Sequence, residues 1–256
     1  MMRISADVIE IDTPCEDLRD VAVVFPAYNE EANVARAIET ALEVGAGRVV
    51  CVDDCSTDRT GEIIEGYASN PRVGIVHHEV NQGKQAAVKH GLESALGHPD
   101  LRRFATLDAD MQDDPAELPR VAAPVGECDM VSTFRSREEM PPHRRLANAL
   151  ANAPYRFLAG LDIHDVQAGY RVYTRPVAVY LALHLATRGG YTLEHTTMEL
   201  FGEIARRREA PFRIGEVRVP YPYEDDAESH IGLRDNLQLT AAAVRCAWRV
   251  AKLTRG

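Results

Sequence analysis

Five short, largely apolar runs, most of them stopping abruptly at a polar or acidic cluster, limit what this chain can fold into. Val21-Ala22-Val23-Val24-Phe25 stops at Pro26, Arg48 to Val52 ends in Asp53-Asp54, and Phe104 to Leu107 ends in Asp108-Ala109-Asp110. Val73 to Val76 and Asp129 to Thr133 are the other two. Consecutive rather than alternating apolar residues mark strands buried on both faces, as in a parallel sheet. Helical stretches lie between them. One opens at Asn29 with Glu30 and Glu31 in its first turn, one begins near Thr60, one covers Gly83 to Leu96, and one has Pro115 in its first turn. The alternation predicts an α/β fold, a mostly parallel central sheet with helices on both faces.

The second half is less regular. Arg144 to Leu158 and Thr192 to Arg208 read as helices, Arg213 to Val219 as a strand, and Leu233 to Lys252 as a long last helix. Residues 1–20 are polar, lack a clear period, and read as an appended arm. The expected organisation is that arm, one domain over 21–232, and a C-terminal amphipathic helix over 233–256. Within the domain, about 21–135 would bind a nucleotide and about 136–232 would shape an acceptor site.

Charge narrows the function. With 39 carboxylates against 29 Lys and Arg, the formal net charge is -10, which excludes a general nucleic-acid binder. One small nucleotide needs only a few local cations and a metal. The cysteines at 15, 51, 55, 128 and 246 are odd in number and scattered, so no disulfide framework and a reducing, cytoplasmic compartment are expected. Cys51 and Cys55 read as small packing residues at a strand end. The first residues carry no basic, then apolar, signal-peptide pattern, and no run approaches the roughly 20 apolar residues that span a bilayer. The best local candidate, Ala178 to Ala186, is short and contains His184.

Ligands of open α/β sheets bind at the carboxyl ends of the strands, where the polar clusters fall. Asn29 and Asp58 fit helix capping as well as ligand contact. Asp108 and Asp110 fit capping less well, because two carboxylates one residue apart can close on one hard cation, Mg2+ or Mn2+.

Six segments in order carry a resemblance: Phe25-Pro26-Ala27-Tyr28-Asn29-Glu30, Asp53 to Asp58, Asn81-Gln82-Gly83-Lys84-Gln85-Ala86-Ala87, Asp108 to Gln112, Ala168-Gly169-Tyr170-Arg171, and Gly215-Glu216-Val217. Together they resemble the family 2 glycosyltransferases of GT-A fold, in the dolichyl-phosphate mannose synthase-like, polyprenyl-phosphate branch. The resemblance runs from about Val21 to Arg234. It implies that Pro26, Ala27, Tyr28 and Glu30 line a nucleoside pocket and that Asp54 binds the base or ribose. Asp108 and Asp110 would hold the metal, with Gln112 as a third ligand. Lys84 would reach the donor phosphates. Arg135 and Arg171 would meet phosphate groups, or pair with structural carboxylates instead.

The implied reaction is an inverting transfer from a GDP- or UDP-sugar, the metal neutralising charge on the departing diphosphate and basic side chains adding to it. A lipid monophosphate is already a nucleophile; a hydroxyl acceptor needs a base. Asp165 and Glu199 are the candidate bases, each with an equal reading as an ion-pair partner. The chain lacks the Gln-x-x-Arg-Trp signature of processive synthases, which favours a polyprenyl or dolichyl phosphate acceptor. Near the expected lipid-phosphate segment, Ser229 fits, but His230 stands where the resemblance calls for lysine. The alternative is a hydroxyl on a lipid-linked glycan or a small soluble acceptor.

The last helix sets Arg245, Arg249 and Lys252 beside Leu237, Ala241, Val244 and Trp248. That pattern suits peripheral contact with the cytoplasmic face of a membrane or with a membrane-protein partner, and equally packing on its own domain or on a second subunit. A nucleotidyltransferase would need a glycine-rich phosphate loop near the first strand, and Phe25 to Glu30 is not one. A silent binding subunit would not need Asp108 and Asp110.

Overall fold

The computed structural model describes residues 4–135, 140–185, 193–220 and 233–254, and not the side chains of 142–144, 233–239 and 254. Its one sheet has eight strands: β1 (Ile4–Val8), β2 (Val21–Ala27), β3 (Arg48–Asp53), β4 (Val73–His77), β5 (Arg103–Thr106), β6 (Met130–Phe134), β7 (Arg171–Thr174) and β8 (Phe212–Arg218). The spatial order is β1-β8-β6-β7-β5-β2-β3-β4. Every pairing is parallel except those of β7, which runs antiparallel to β5 and β6.

The helices are α1 (Val34–Glu43), α2 (Thr60–Glu65), α3 (Lys84–Leu96), α4 (Leu118–Val121), α5 (Pro142–Pro154), α6 (Arg175–His184), α7 (Leu193–Arg207) and α8 (Leu233–Thr254). A 3-10 turn, Pro115–Glu117, precedes α4, and a π turn, Tyr155–Ala159, continues α5.

The apolar runs follow from burial on both faces. Val21, Val23 and Phe25 of β2 pack with α1, α2 and α4 through Ile38, Ile64 and Leu118. Ala22 and Val24 face the opposite core, built with Val88, Leu92, Tyr155, Leu181, Phe201 and Val250. Period-two alternation of side chains between faces then demands apolar residues at every position.

Two expectations need correction. Residues 1–20 are not simply an arm: Ile4–Val8 pairs with β8 from Ile4 beside Phe212 to Val8 beside Glu216, and Ile4 is fully buried. As an edge strand it buries one face, so Ser5 and Asp7 interrupt the apolar signal. Helix α1 begins at Val34 rather than at Asn29, and no acidic residue lies in its first turn. Asn29 takes a left-handed conformation, φ 58, that a helix cannot contain.

The sequence did not reveal β7, because its four residues run directly into α6. The apolar stretch near Ala178 belongs to α6, whose Val177, Ala178, Leu181 and Ala182 are core residues. No described helix is long and apolar enough to cross a membrane. The expected C-terminal helix is α8; it buries Ala242, Ala243, Ala247, Val250 and Ala251 and leaves Val244 and Trp248 outside.

Helix α3 rests closely on β2 through Gly91, where an added Cβ would lie 2.3 Å from Val24 Cγ1. Gly91→Ala should therefore cost about 1–3 kcal/mol of stability through overpacking. Urea unfolding reads this directly, and an unchanged midpoint would mean that α3 is not seated on β2 as described.

Candidate functional site

The carboxyl ends of β2, β3 and β5 face one edge of the sheet, and each is followed by a non-glycine residue in the left-handed region. These are Asn29 (φ 58), Cys55 (φ 61) and Met111 (φ 62). Such strain collects where a fold must aim side chains at a ligand. The first two loops are stitched together. Asn29 N donates to Ser56 Oγ at 3.1 Å, Thr57 N donates to Asn29 Oδ1 at 2.8 Å, and Glu30 N donates to Thr60 Oγ1 at 2.7 Å. Asp58 Oδ1 accepts from Thr60 N at 2.9 Å, so Asp58 serves the start of α2.

Asp54 is buried at the end of β3, and its carboxylate accepts from Gln82 N at 2.8 Å and Gly83 N at 2.7 Å. His78 Nδ1 lies 2.6 Å from Asp54 Oδ1, and His78 Nε2 lies 2.8 Å from His90 Nδ1. Asp54 thus anchors the loop entering α3, with Gly83 at φ 85 making the bend. These bonds occupy the carboxylate that was expected to meet the base or ribose. Tyr28 is 47% exposed, whereas Ala27 is buried.

Lys84 opens α3 and reaches across the site. Its Nζ donates to Asp108 Oδ2 at 2.9 Å and to Glu194 Oε1, on α7, at 3.1 Å. Burial alone would lower the lysine, yet the two carboxylates overcome it and hold Lys84 above its ordinary range. Burial likewise works against ionised Glu194, but Lys84 and Arg171 bring it below the usual carboxylate value.

The rest of the acidic set is pushed the other way. Glu30 is raised by burial and by the Asp110 and Asp108 charges, against a hydrogen bond from Asn33. Asp110 is raised by burial and by Asp108, against the Gln112 N–H, Lys84 and Arg135. Asp113 is pushed up to about 7 by burial and then by Asp108. Three carboxyls made reluctant to ionise around a fourth form the kind of donor set that a hard divalent cation relieves. Among the described residues no three His, Cys, Asp or Glu side chains converge to hold an ion alone. An ion on Asp108 and Asp110 would need further oxygens, from Gln112 or from substrate phosphates. The residues present fit such an ion.

Arg135, just past the end of β6, stands beside Asp165. Arg135 Nε is 3.9 Å from Asp165 Oδ2, and the Arg135 charge also lowers Asp110 and Asp113. Asp165 is buried; burial raises it, opposed by Arg135 and by the Gln167 N–H.

Two expected residues sit elsewhere. Arg171 is buried under the site, donating to Val166 O at 2.7 Å and to Thr197 Oγ1. From β7, mid-sheet, it braces the 165–168 loop and α7. Glu199 faces α8, accepting from Arg249 Nη1 at 2.7 Å. Its position on α7 directs it to the neighbouring helix, as the ion-pair reading expects. Ser229 and His230 lie outside the described residues.

Sequence reasoning missed Glu194 and Asp113, and it named Gly169 only as part of a motif, with no role in the site. Asp113 had a signal, a further carboxylate directly after Gln112. Glu194 had none, being 110 residues from Lys84. A Cβ on Gly169 would lie 3.3 Å from both Asp108 Oδ2 and Asp113 Oδ2 and 3.6 Å from Lys84 Nζ. A valine there should push these groups apart and reduce turnover roughly 100-fold, in line with the cost of small misplacements in active sites. Turnover of Gly169→Val near the wild-type value would remove this residue from the site.

The match to the glycosyl transferase family 2 model covers residues 22–180. The chain belongs to that family. It is 32% identical over 184 residues, 69% of this chain and 55% of the other, to the undecaprenyl-phosphate 4-deoxy-4-formamido-L-arabinose transferase of Pectobacterium carotovorum. The Pseudomonas aeruginosa protein of the same name is 35% identical over 61% of this chain and 48% of its own length. The chain thus spans about half the length of these family 2 relatives. An uncharacterized protein of Methanocaldococcus jannaschii is 25% identical over 87% of this chain and 96% of its own.

In fold, the chain is similar to glucosyl-3-phosphoglycerate synthase from Mycobacterium tuberculosis. A complex with phosphoglyceric acid gives a TM-score of 0.66 at 17% identity, covering 96% of this chain and 88% of that one. A complex with Mn2+, UDP and phosphoglyceric acid gives 0.64 at 16% identity, covering 96% and 87%. The GT-A architecture and the glycosyltransferase class expected from the six segments are both met.

Glu194, partly buried, is followed in α7 by a fully buried group. His195 is 1% exposed, Tyr155 Oη lies 2.9 Å from its Nδ1, and its Nε2 has no hydrogen-bond partner among the described residues. Burial lowers it to about 4. The unfolded chain therefore binds a proton near pH 6.5 that the native state refuses until about pH 4. Stability is present above 6.5 and lost as pH falls through this window, by up to about 3 kcal/mol. Asp113 acts with opposite sign, since its raised value stabilises the native state as pH falls below about 7. Comparing His195→Phe with wild type isolates the histidine: the variant's unfolding free energy should fall less between pH 6.5 and 4. Parallel pH profiles would show that His195 is charged in the native state.

Proposed function

We propose that the protein transfers a sugar from a nucleoside diphosphate sugar, UDP- or GDP-linked, to a polyprenyl phosphate at a membrane surface, inverting the anomeric centre. The observation that carries this reading is Lys84 set against Asp108 beside Asp110, with Arg135 across the site. The arrangement offers hard anionic oxygens for a metal and separate cations for phosphates. The relatives named for transfer to undecaprenyl phosphate support the acceptor class. The neighbour crystallised with Mn2+ and UDP supports the metal and the nucleotide.

A divalent ion, Mg2+ or Mn2+, held by Asp108, Asp110 and Gln112 would supply the charge that stabilises a leaving diphosphate. Tyr28 covers the base, and Glu30 flanks the nucleoside side of the carboxylate group. Asp54 positions the loop that starts α3, so the Lys84 ammonium points at the phosphate region. Arg135, steadied by Asp165, faces the acceptor and draws its phosphate toward the anomeric carbon.

A second reading, transfer to a hydroxyl, draws on Asp165. Its carboxyl is raised by burial, as a base poised toward neutral pH would be. The deciding experiment is turnover of UDP- and GDP-sugars with Mn2+ or Mg2+, with and without a short-chain polyprenyl phosphate. Acid-labile glycosyl lipid formed only with the phosphate supports the first reading. Donor hydrolysis alone, with transfer to hydroxyl acceptors that Asp165→Asn abolishes, supports the second.

A further inference from the structure

Two neighbouring helices present apolar rows to solvent. On α5 and its π turn, Leu146, Leu150 and Phe157 are 62%, 51% and 79% exposed, while Asn148, Ala151, Asn152 and Tyr155 on the opposite side are buried. The three exposed positions are four and seven residues apart, so they share one helical face. Helix α8 packs against both α5 and the π turn. It leaves Val244 and Trp248 44% and 52% exposed while Ala243, Ala247 and Val250 face the core. Nothing in the catalytic arrangement uses these residues.

Their surroundings are cationic. From Pro142 to Leu161 the sequence contains no Asp or Glu, and from Asn236 to Gly256 it again contains none. This occurs in a chain whose formal net charge is -10. Arg145, Arg156, Arg245 and Lys252 are exposed around the apolar rows. Lys252 Nζ sits 3.8 Å from the centre of the Trp248 ring. Arg156 meets Asp162 at 3.6 Å, but both are well exposed and weakly coupled. Aliphatic and aromatic side chains fringed by Arg and Lys match the interface of an anionic bilayer. A second copy of the chain fits less well, because a two-fold contact would set this cationic fringe against itself.

The geometry points to this face, with Leu150, Phe157 and Trp248 inside a fringe of Arg145, Arg156 and Lys252, as the surface that docks on an anionic lipid bilayer. The inference deepens the polyprenyl-phosphate reading and rests on it for the substrate the bilayer would bring, though not for the contact itself. The π turn places Phe157 outward, and insertion of its ring and of Trp248 would fix how the protein sits on the lipid.

Trp248 is the sole tryptophan, so its fluorescence reports the docking face without labelling. The full chain is mixed with vesicles of phosphatidylcholine alone or with phosphatidylglycerol, and with bromine-labelled lipids as quenchers. Expected are a blue shift and bromolipid quenching on the anionic vesicles, with partitioning about tenfold weaker for Leu150→Ser/Phe157→Ser. High salt should weaken binding further. Circular dichroism of the double variant confirms that the fold is kept, and Phe157→Ser alone serves if it is not.

Absence of quenching, equal binding to neutral vesicles, or binding unaffected by both variants overturns the proposal. So does a concentration-dependent dimer in light scattering that Phe157→Ser abolishes, which would make the face a contact between copies. Turnover of a water-soluble short-chain phosphate is measured separately, without vesicles. Turnover with no vesicle binding refutes the docking face alone; vesicle binding with no turnover refutes the acceptor reading and leaves the face standing.

Discussion

Asp110→Asn lowers kcat by roughly three orders of magnitude, about 4 kcal/mol of transition-state stabilisation, while the fold survives. The amide keeps the size of the side chain and one oxygen but removes the charge that would bind a divalent ion. The structural side of the prediction follows from the raised value of Asp110, set by burial and by Asp108. An ionised group held above its ordinary range opposes folding, so removing it relieves repulsion within the acidic set. The variant's melting temperature at pH 8 without added metal should therefore equal or exceed that of the wild type. Added Mn2+ should stabilise the wild type and leave the variant where it was, because an ion that binds only the native state raises its stability. Wild-type-like turnover in the variant would sink the metal assignment. A collapsed melting temperature would instead make Asp110 a structural residue, and the lost activity would then carry no mechanistic weight.

The strand ends were legible in the sequence for a physical reason. A strand buried on both faces cannot hide its apolar character, and a carboxylate at its end must stand at the sheet's edge. Asp108, Asp110 and Asp54 were found this way, as were all the parallel strands except β1. The edge strand β1 escaped because one face suffices for it, and β7 because four residues are too few to show a period. What sequence could not give is partnership. Asp54 and Asp108 look alike as strand-end carboxylates, yet one accepts from the backbone N–H groups of Gln82 and Gly83, while the other accepts from the Lys84 side chain. Arg171 and Glu199 were chosen by residue type and motif. Their burial and helix face, which only the packed structure sets, decide which groups they touch. Glu194 belongs to the site through tertiary contact alone.

Lys84 joins the two halves of the site, and its replacement separates its structural role from its chemical one. Lys84→Met leaves Asp108 and Glu194 facing each other without a cation. The stability lost should be about 2 kcal/mol, below the figure for a fully buried pair, because 35% of the Lys84 side chain is exposed. Turnover should fall about 100-fold if the ammonium meets the donor phosphates as proposed. Adding Glu194→Gln removes the orphaned carboxylate on α7, so Lys84→Met/Glu194→Gln should recover most of the melting temperature. If Lys84 acts on the donor, this double variant stays about 100-fold slow, and its KM for the nucleotide sugar stays raised. Should the double variant recover turnover together with stability, Lys84 would be no more than the counter-ion of Glu194. The contact with Asp108, 2.9 Å long, makes the first outcome the expected one, because it sets the ammonium beside the same carboxylate that would hold the metal.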